Sequence, residues 1–121
     1  MSLAGKRVFV VEDEALILFT LQDMLEDLGC VVVDVALRIE DALAKGAAVA
    51  CDVAILDVNV AGERIDGVAD LVAARGVPLV FATGYGRPSL PAAHAGRPML
   101  AKPYRPVDVR TALESALSTH S

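Results

Sequence analysis

At 121 residues the chain has the length of one domain, and a 55% hydrophobic content with only 4% aromatics makes its core aliphatic. A net charge of −5 argues against a nucleic-acid interface, which needs clustered Lys and Arg. No run approaches the ~18 apolar residues of a membrane span and no secretory leader is evident, so a soluble, cytoplasmic protein without membrane contact is expected.

Strand-length apolar runs alternate with helical patterns. Val8 to Val11 is the first run, and Leu18, Leu21, Leu25 and Leu28 then share one face of a helix over 14–28, with Gly29 as its left-handed cap. Cys30 and Cys51 each stand at the start of an apolar run and are expected as buried free thiols. No ligand spacing suggests zinc. Val31 to Val35 is the second run, and Asp34 within it marks a less buried edge. A short helix over 38–46 ends at Gly46. Val53 to Leu56 is the third run, and Ile65, Val68, Ala69 and Val72 line a third helix stopped by Gly76 and Pro78.

Leu79 to Ala82 and Met99 to Ala101 are the fourth and fifth runs. Pro106 suits the first turn of a last helix with Val109, Leu113 and Ala116 inward. Between these runs, residues 84–98 hold three glycines and three prolines, which predicts a short or mobile fourth helix of little more than two turns near 90–95. His94 there and His120 at the end are expected to be solvated. Met1-Ser2-Leu3 carries no assigned role. The pattern predicts an α/β domain over residues 1–121: a doubly wound, five-stranded parallel sheet with helices on both faces. The apolar runs are continuous rather than alternating, as strands covered on both sides require.

Four polar residues fall where strands end. Glu12-Asp13 follows the first, Asp57 closes the third, Thr83 the fourth and Lys102 the fifth. In such sheets the first and third strands are adjacent, and ligands bind in the crevice at their carboxyl ends. Alone, Glu12-Asp13-Glu14 reads equally as an acidic helix start favoured by the macrodipole, Asp57 as a turn cap and Thr83 as an ordinary strand end. Together they read as a Mg²⁺ site. Asp13 would ligate directly, Glu12 through water and Asn59 through its backbone carbonyl, with Asp57 as a ligand that also acts as nucleophile toward a phosphoryl group. Thr83 and Lys102 would hold phosphoryl oxygens. A cis Lys102–Pro103 bond would aim the lysine inward.

Glu12-Asp13, Asp57, Thr83 and Lys102-Pro103, in this order and spacing, resemble the receiver domain of two-component response regulators over residues 6 to about 117. The resemblance implies the flavodoxin-like strand order 2-1-3-4-5. It also implies a phosphorylatable Asp57 charged by a sensor histidine kinase or phosphotransfer protein, slow self-dephosphorylation rather than conventional turnover, and output through the face of the fourth helix, fifth strand and fifth helix, homodimerisation being compatible with it. Met99 stands where many receivers carry an aromatic residue, which puts the usual threonine–aromatic switch in question. Ala61-Gly62 replaces a common Pro-Gly. Phe81-Ala82-Thr83-Gly84-Tyr85 is similar to a Phe-Ala-Thr-Gly-x-Tyr subgroup found as stand-alone proteins or at the end of hybrid kinases, although Tyr85 comes one place early. Two alternatives stay open. One is a small Mg²⁺-dependent aspartyl-phosphate phosphatase, against which Asn59 stands where that class has a second aspartate. The other is a receiver-shaped module that binds partners without phosphorylation.

Overall fold

The computed structural model describes residues 2–119, so the expectation for His120 lies outside the described residues. Seven strands and four α-helices follow one another as β1 (Arg7–Val11), α1 (Ala15–Asp27), β2 (Val31–Ala36), α2 (Ile39–Gly46), β3 (Val53–Asp57), β4 (Asn59–Val60), β5 (Glu63–Arg64), α3 (Asp66–Ala74), β6 (Leu79–Thr83), β7 (Met99–Ala101) and α4 (Pro106–Thr119). The main sheet is parallel throughout, in the order β2-β1-β3-β6-β7. With the small β4–β5 hairpin left out, this is the expected 2-1-3-4-5 order.

Strand residues alternate between two cores, because successive side chains leave a strand on opposite faces. Val8, Val10, Val53, Ile55, Val80 and Leu100 pack against Leu18, Leu21, Leu25, Val109 and Leu113 of α1 and α4. Phe9, Val11, Leu56, Leu79 and Phe81 pack on the other face against Ala42 of α2 and Val68 and Val72 of α3. Each fully buried Val, Leu or Phe side chain contributes about 1.5–3 kcal/mol. Leu3 also belongs to the first core, at 3% exposure, a role not expected of it. Cys30 and Cys51 are free thiols on opposite faces of the sheet. Cys30 is buried as expected, and Cys51 only half so.

Helix α1 ends as its Gly29 predicts. With φ of 87°, Gly29 donates its N–H to Glu26 O at 2.9 Å while Cys30 N–H reaches Leu25 O at 2.9 Å, the paired bonds of a Schellman motif. No α-helix forms between β6 and β7 among the described residues. The segment makes two 3₁₀ turns, at Arg87–Ser89 and Ala92–His94, the second falling inside the short helix expected near 90–95. His94 is not solvated. It is 7% exposed, with Nε2 2.8 Å from Asp70 Oδ1 on α3, and Arg97 Nε donates to its Nδ1 at 3.0 Å. Nδ1 is therefore the acceptor, and Nε2–H donates to the aspartate. The ring also lies against Phe81, centroids 5.8 Å apart. The proline turns carry it inward, and its partner stands 24 residues away in the chain, beyond the reach of local pattern.

The β4–β5 hairpin was not foreseen. Its two central residues, Ala61 and Gly62, have φ of 51° and 83°, the paired positive values of a type I′ turn. Glycine adopts this freely; alanine pays about 1–2 kcal/mol for it. Ala61→Gly is therefore expected to stabilise the chain by about 0.5–1 kcal/mol, once glycine's greater loss of backbone entropy is subtracted, as read by urea denaturation.

Candidate functional site

The site lies at the carboxyl ends of β1, β3, β6 and β7, where the main-chain runs stop and their terminal polar residues meet. Glu12 leaves β1 with its N–H on Ala36 O at 3.0 Å, and its side chain is 1% exposed. Asp57 is the last residue of β3 and is 6% exposed. Lys102 follows β7, its N–H on Thr83 O at 3.0 Å, and the Lys102–Pro103 peptide is cis as expected. These backbone anchors bring together residues 45 and 90 positions apart in the chain. Lys102 Nζ lies 2.8 Å from Asp57 Oδ2 and 2.8 Å from Glu12 Oε1. The Asp57 contact is a directed hydrogen bond. The Glu12 contact is an ion pair at the same distance, so the Lys102 ammonium engages both carboxylates.

Glu12, Asp13 and Asp57 each place a carboxylate oxygen within 4.8 Å of the other two. One ammonium cannot neutralise three carboxylates at this range. Asp13 Oδ2 accepts the Ala61 N–H at 2.9 Å, so the strained hairpin turn is pinned to the acidic cluster. Asn59 donates its N–H to Asp57 Oδ1 at a long 3.4 Å, on the same rim. The cluster opens into a cleft of about 470 Å³ lined by Asp13, Glu14, Asp57, Asn59, Tyr85 and Lys102. Three clustered carboxylates beside a cleft with room for water offer an all-oxygen donor set, which suits Mg²⁺ and no soft metal.

The electrostatics follow from the crowding. Burial pushes the Glu12 carboxyl up to about 7; Lys102 opposes this and the Asp57 charge adds to it. Burial also disfavours the charged Asp13, but the Ala61 N–H and further hydrogen bonds outweigh it and hold that carboxyl below its ordinary value. For Lys102 burial likewise works against the charge, yet Asp57 and Glu12 together raise it. Tyr104, half-buried beside the cluster, is raised by burial and by the Glu12 and Asp57 charges. No feature of the sequence singled Tyr104 out.

Thr83 is brought to the rim, 1% exposed, with its hydroxyl engaged elsewhere. Its Oγ1 accepts the Tyr85 N–H at 2.9 Å and lies 2.8 Å from Ser89 Oγ. Ser89 Oγ donates its own proton to Gly86 O at 2.6 Å, so Thr83 is the donor to Ser89. Ser89, absent from the sequence-derived set, thus ties Thr83 to the first 3₁₀ turn. Arg64 of the hairpin donates to Ser89 O at 3.1 Å and joins the same network.

The family model of the response regulator receiver domain matches residues 8–114. The chain belongs to the response regulator receiver domain family. The receiver is 40% identical to SdrG from Sphingomonas melonis Fr1, whose solution structure superposes with a TM-score of 0.83 over 97% of this chain and 99% of that one. The BeF₃-activated conformation of SdrG, from Pseudomonas melonis Fr1, matches at 39% identity and TM-score 0.79 over 94% and 98% of the two chains. The response regulator PhyR from Brucella abortus is 28% identical, with a TM-score of 0.80 over 98% of this receiver and 50% of PhyR. The receiver therefore spans about half the length of PhyR. No curated protein sequence matches it. Among the described residues no helix is long and apolar enough to cross a membrane.

Two predictions test the electrostatics. Lys102→Met leaves two buried carboxylates facing each other, and is expected to cost about 2–3 kcal/mol, less than a fully enclosed pair because the cleft is open; urea denaturation with and without Mg²⁺ checks it, the cation restoring part of the loss. The second concerns pH. Folding raises the Glu12 pKa from 4.5 to about 7, so the folded chain keeps a proton that the unfolded chain has released. That stabilisation is complete below the unfolded value and is lost as pH rises through the folded one. A cation favours the ionised form, so Mg²⁺ affinity measured by calorimetry should rise between about pH 6 and pH 8, and Glu12→Gln should flatten the rise.

Proposed function

We propose that this receiver is a single signalling domain in which Asp57 accepts a phosphoryl group from a phosphohistidine on a sensor kinase or phosphotransfer protein. The observation that carries the reading is the Lys102 ammonium 2.8 Å from Asp57, both lining a cleft with Asp13, with the buried Glu12 within 4.8 Å of both acids. An Asp57 carboxylate oxygen attacks phosphorus, the P–N bond breaks, and its electron pair returns to the imidazole, leaving an aspartyl phosphate on the receiver. Bound Mg²⁺, held by Asp13, Asp57, the Asn59 carbonyl and, through water, Glu12, would neutralise charge on the carboxylates and phosphoryl oxygens. Lys102 moves from the Asp57 carboxylate to a phosphoryl oxygen and keeps its charge throughout.

The new oxygens offer Thr83 a better acceptor than Ser89. When its hydroxyl donates to the phosphoryl group, the Thr83–Ser89 bond is lost, and the Arg87–Ser89 turn is freed from the rim. This links the site to the face formed by the 87–97 segment, β7 and α4, the output surface we assign to protein–protein contact. Met99, packed against the core on that face, takes the position of the usual aromatic switch, so the threonine acts through Ser89 instead. Attack of water on phosphorus would break the Asp57 O–P bond, release inorganic phosphate and restore the carboxylate, resetting the domain without conventional turnover. That SdrG has a BeF₃-activated conformation supports the same chemistry here. Asp57→Asn is expected to abolish labelling by a small phosphodonor with Mg²⁺, measured by intact mass; undiminished labelling would reject Asp57 as the acceptor.

A further inference from the structure

The sheet has two edges, and the chain treats them differently. A bare edge strand is a template for another strand, and folded proteins normally blunt it with bulges or lysines. On the β2 edge the pairing with β1 slips between Val8 and Phe9, so that Val33 is left out of register. Lys45 Nζ caps Val35 O at 2.7 Å, and Asp34 Oδ1 accepts the Val35 N–H at 2.9 Å. That edge is closed. The β7 edge is only three residues long, yet among the described residues no bulge interrupts it and no side chain caps its backbone. Phe81 N–H bonds Pro98 O, and Lys102 N–H bonds Thr83 O, so residues 98, 100 and 102 face β6. In a parallel ladder the alternate residues face away, which turns the N–H and C=O groups of Met99 and Ala101 outward. β7 is the last strand in the order, and no strand lies beyond them.

A groove of about 460 Å³ runs along this edge between the 3₁₀ segment and α4, with Arg87 on one wall and Arg105 and Thr111 on the other. The groove's charged lining is Arg87, Arg105 and Asp108, two positive against one negative, a net of +1 on a chain of net −5. Arg105 shares its charge with Asp108 at 2.7 Å, whereas among the described residues no carboxylate pairs with Arg87, whose Nη1 donates to the carbonyls of Ala95 and Arg97. Unpaired backbone groups in a row are satisfied by another extended backbone and not by the side chains of a docked helix. A second copy of the receiver is a poor occupant: its β2 edge is closed, and pairing two β7 edges would set Arg87 and Arg105 against their own images.

Resting on the output face assigned above, we infer that this receiver engages its target by strand addition: an extended, acidic segment of the partner protein pairs with the free edge of β7, its carboxylates against Arg87 and Arg105. Alternate side chains of the segment would face the 3₁₀ turns and α4, so backbone pairing gives affinity and the arginines select for charge. Release of the Arg87–Ser89 turn by Thr83 changes one wall of this groove and would set how readily the segment enters.

Selection of random linear peptides on a display library against the intact receiver, with and without Mg²⁺ and beryllofluoride, tests the inference. The expected result is enrichment of extended peptides rich in Asp and Glu that slow amide exchange at Met99 and Ala101. Ala101→Pro removes one outward N–H without touching the β6 pairing and should weaken those peptides about fivefold, while Ala101→Ser should not. Arg105→Glu should weaken them about tenfold. No enrichment, neutral or basic peptides, helical peptides, or protection mapped away from β7 would overturn it. Binding that is equal in both states keeps the strand-addition site and rejects its control by Asp57, whereas peptide selection that fails while Asp57 still labels rejects this inference alone.

Discussion

One ammonium group holds the functional end of this molecule together. Lys102 sits between Asp57 and Glu12, 2.8 Å from each, and without it two buried carboxylates and a third close by would repel at a distance where like charges cost several kcal/mol in a medium of intermediate dielectric. The arrangement is under-neutralised by design of the fold. The acids come from the ends of β1 and β3, which the sheet order places side by side, so the chain cannot bury its aliphatic core without also bringing them together. Burial first, and the Asp57 charge in addition, hold the Glu12 carboxyl above its ordinary value.

From that constraint the path to the surface is short. The acidic cluster pins the Ala61 turn through Asp13, and the hairpin's Arg64 reaches Ser89, which holds Thr83. In the function proposed, charge added at Asp57 would act on this set of contacts, which ends in the 3₁₀ turn beside β7. The segment between β6 and β7 is suited to this role because its prolines and glycines prevent a stable α-helix. Few backbone bonds of its own oppose a change, and its anchors are the polar contacts of Ser89, Arg87 and His94.

Much of this was legible in the residues themselves. The inner strands β1, β3 and β6 are apolar runs because both faces are covered, whereas Asp34 interrupts the more exposed edge strand β2, and the polar residues that end the runs, Asp57, Thr83 and Lys102, stand out. The helix ends were marked by Gly29 and Pro106, whose backbone preferences are local. What local pattern missed depends on distant partners. His94 is buried because Asp70 and Phe81 receive it, Ser89 matters because Thr83 lies under it, and Leu3 reaches the core beside Cys30. The β4–β5 hairpin escaped notice because its strands are two residues long and its turn places an alanine in a conformation usually reserved for glycine.

The central proposal is that Lys102 and the under-neutralised acids, joined by a cation, would form one receptor for a phosphoryl group. A beryllofluoride titration in the presence and absence of Mg²⁺, followed in the ¹⁹F spectrum and at the Lys102 ammonium resonance, tests it most directly. The account predicts a single saturable bound fluoroberyllate that forms only with the cation and shifts the ammonium signal as it leaves the Asp57 carboxylate. A bound species that forms equally well without the cation, or one that leaves the Lys102 resonance unmoved, would contradict it.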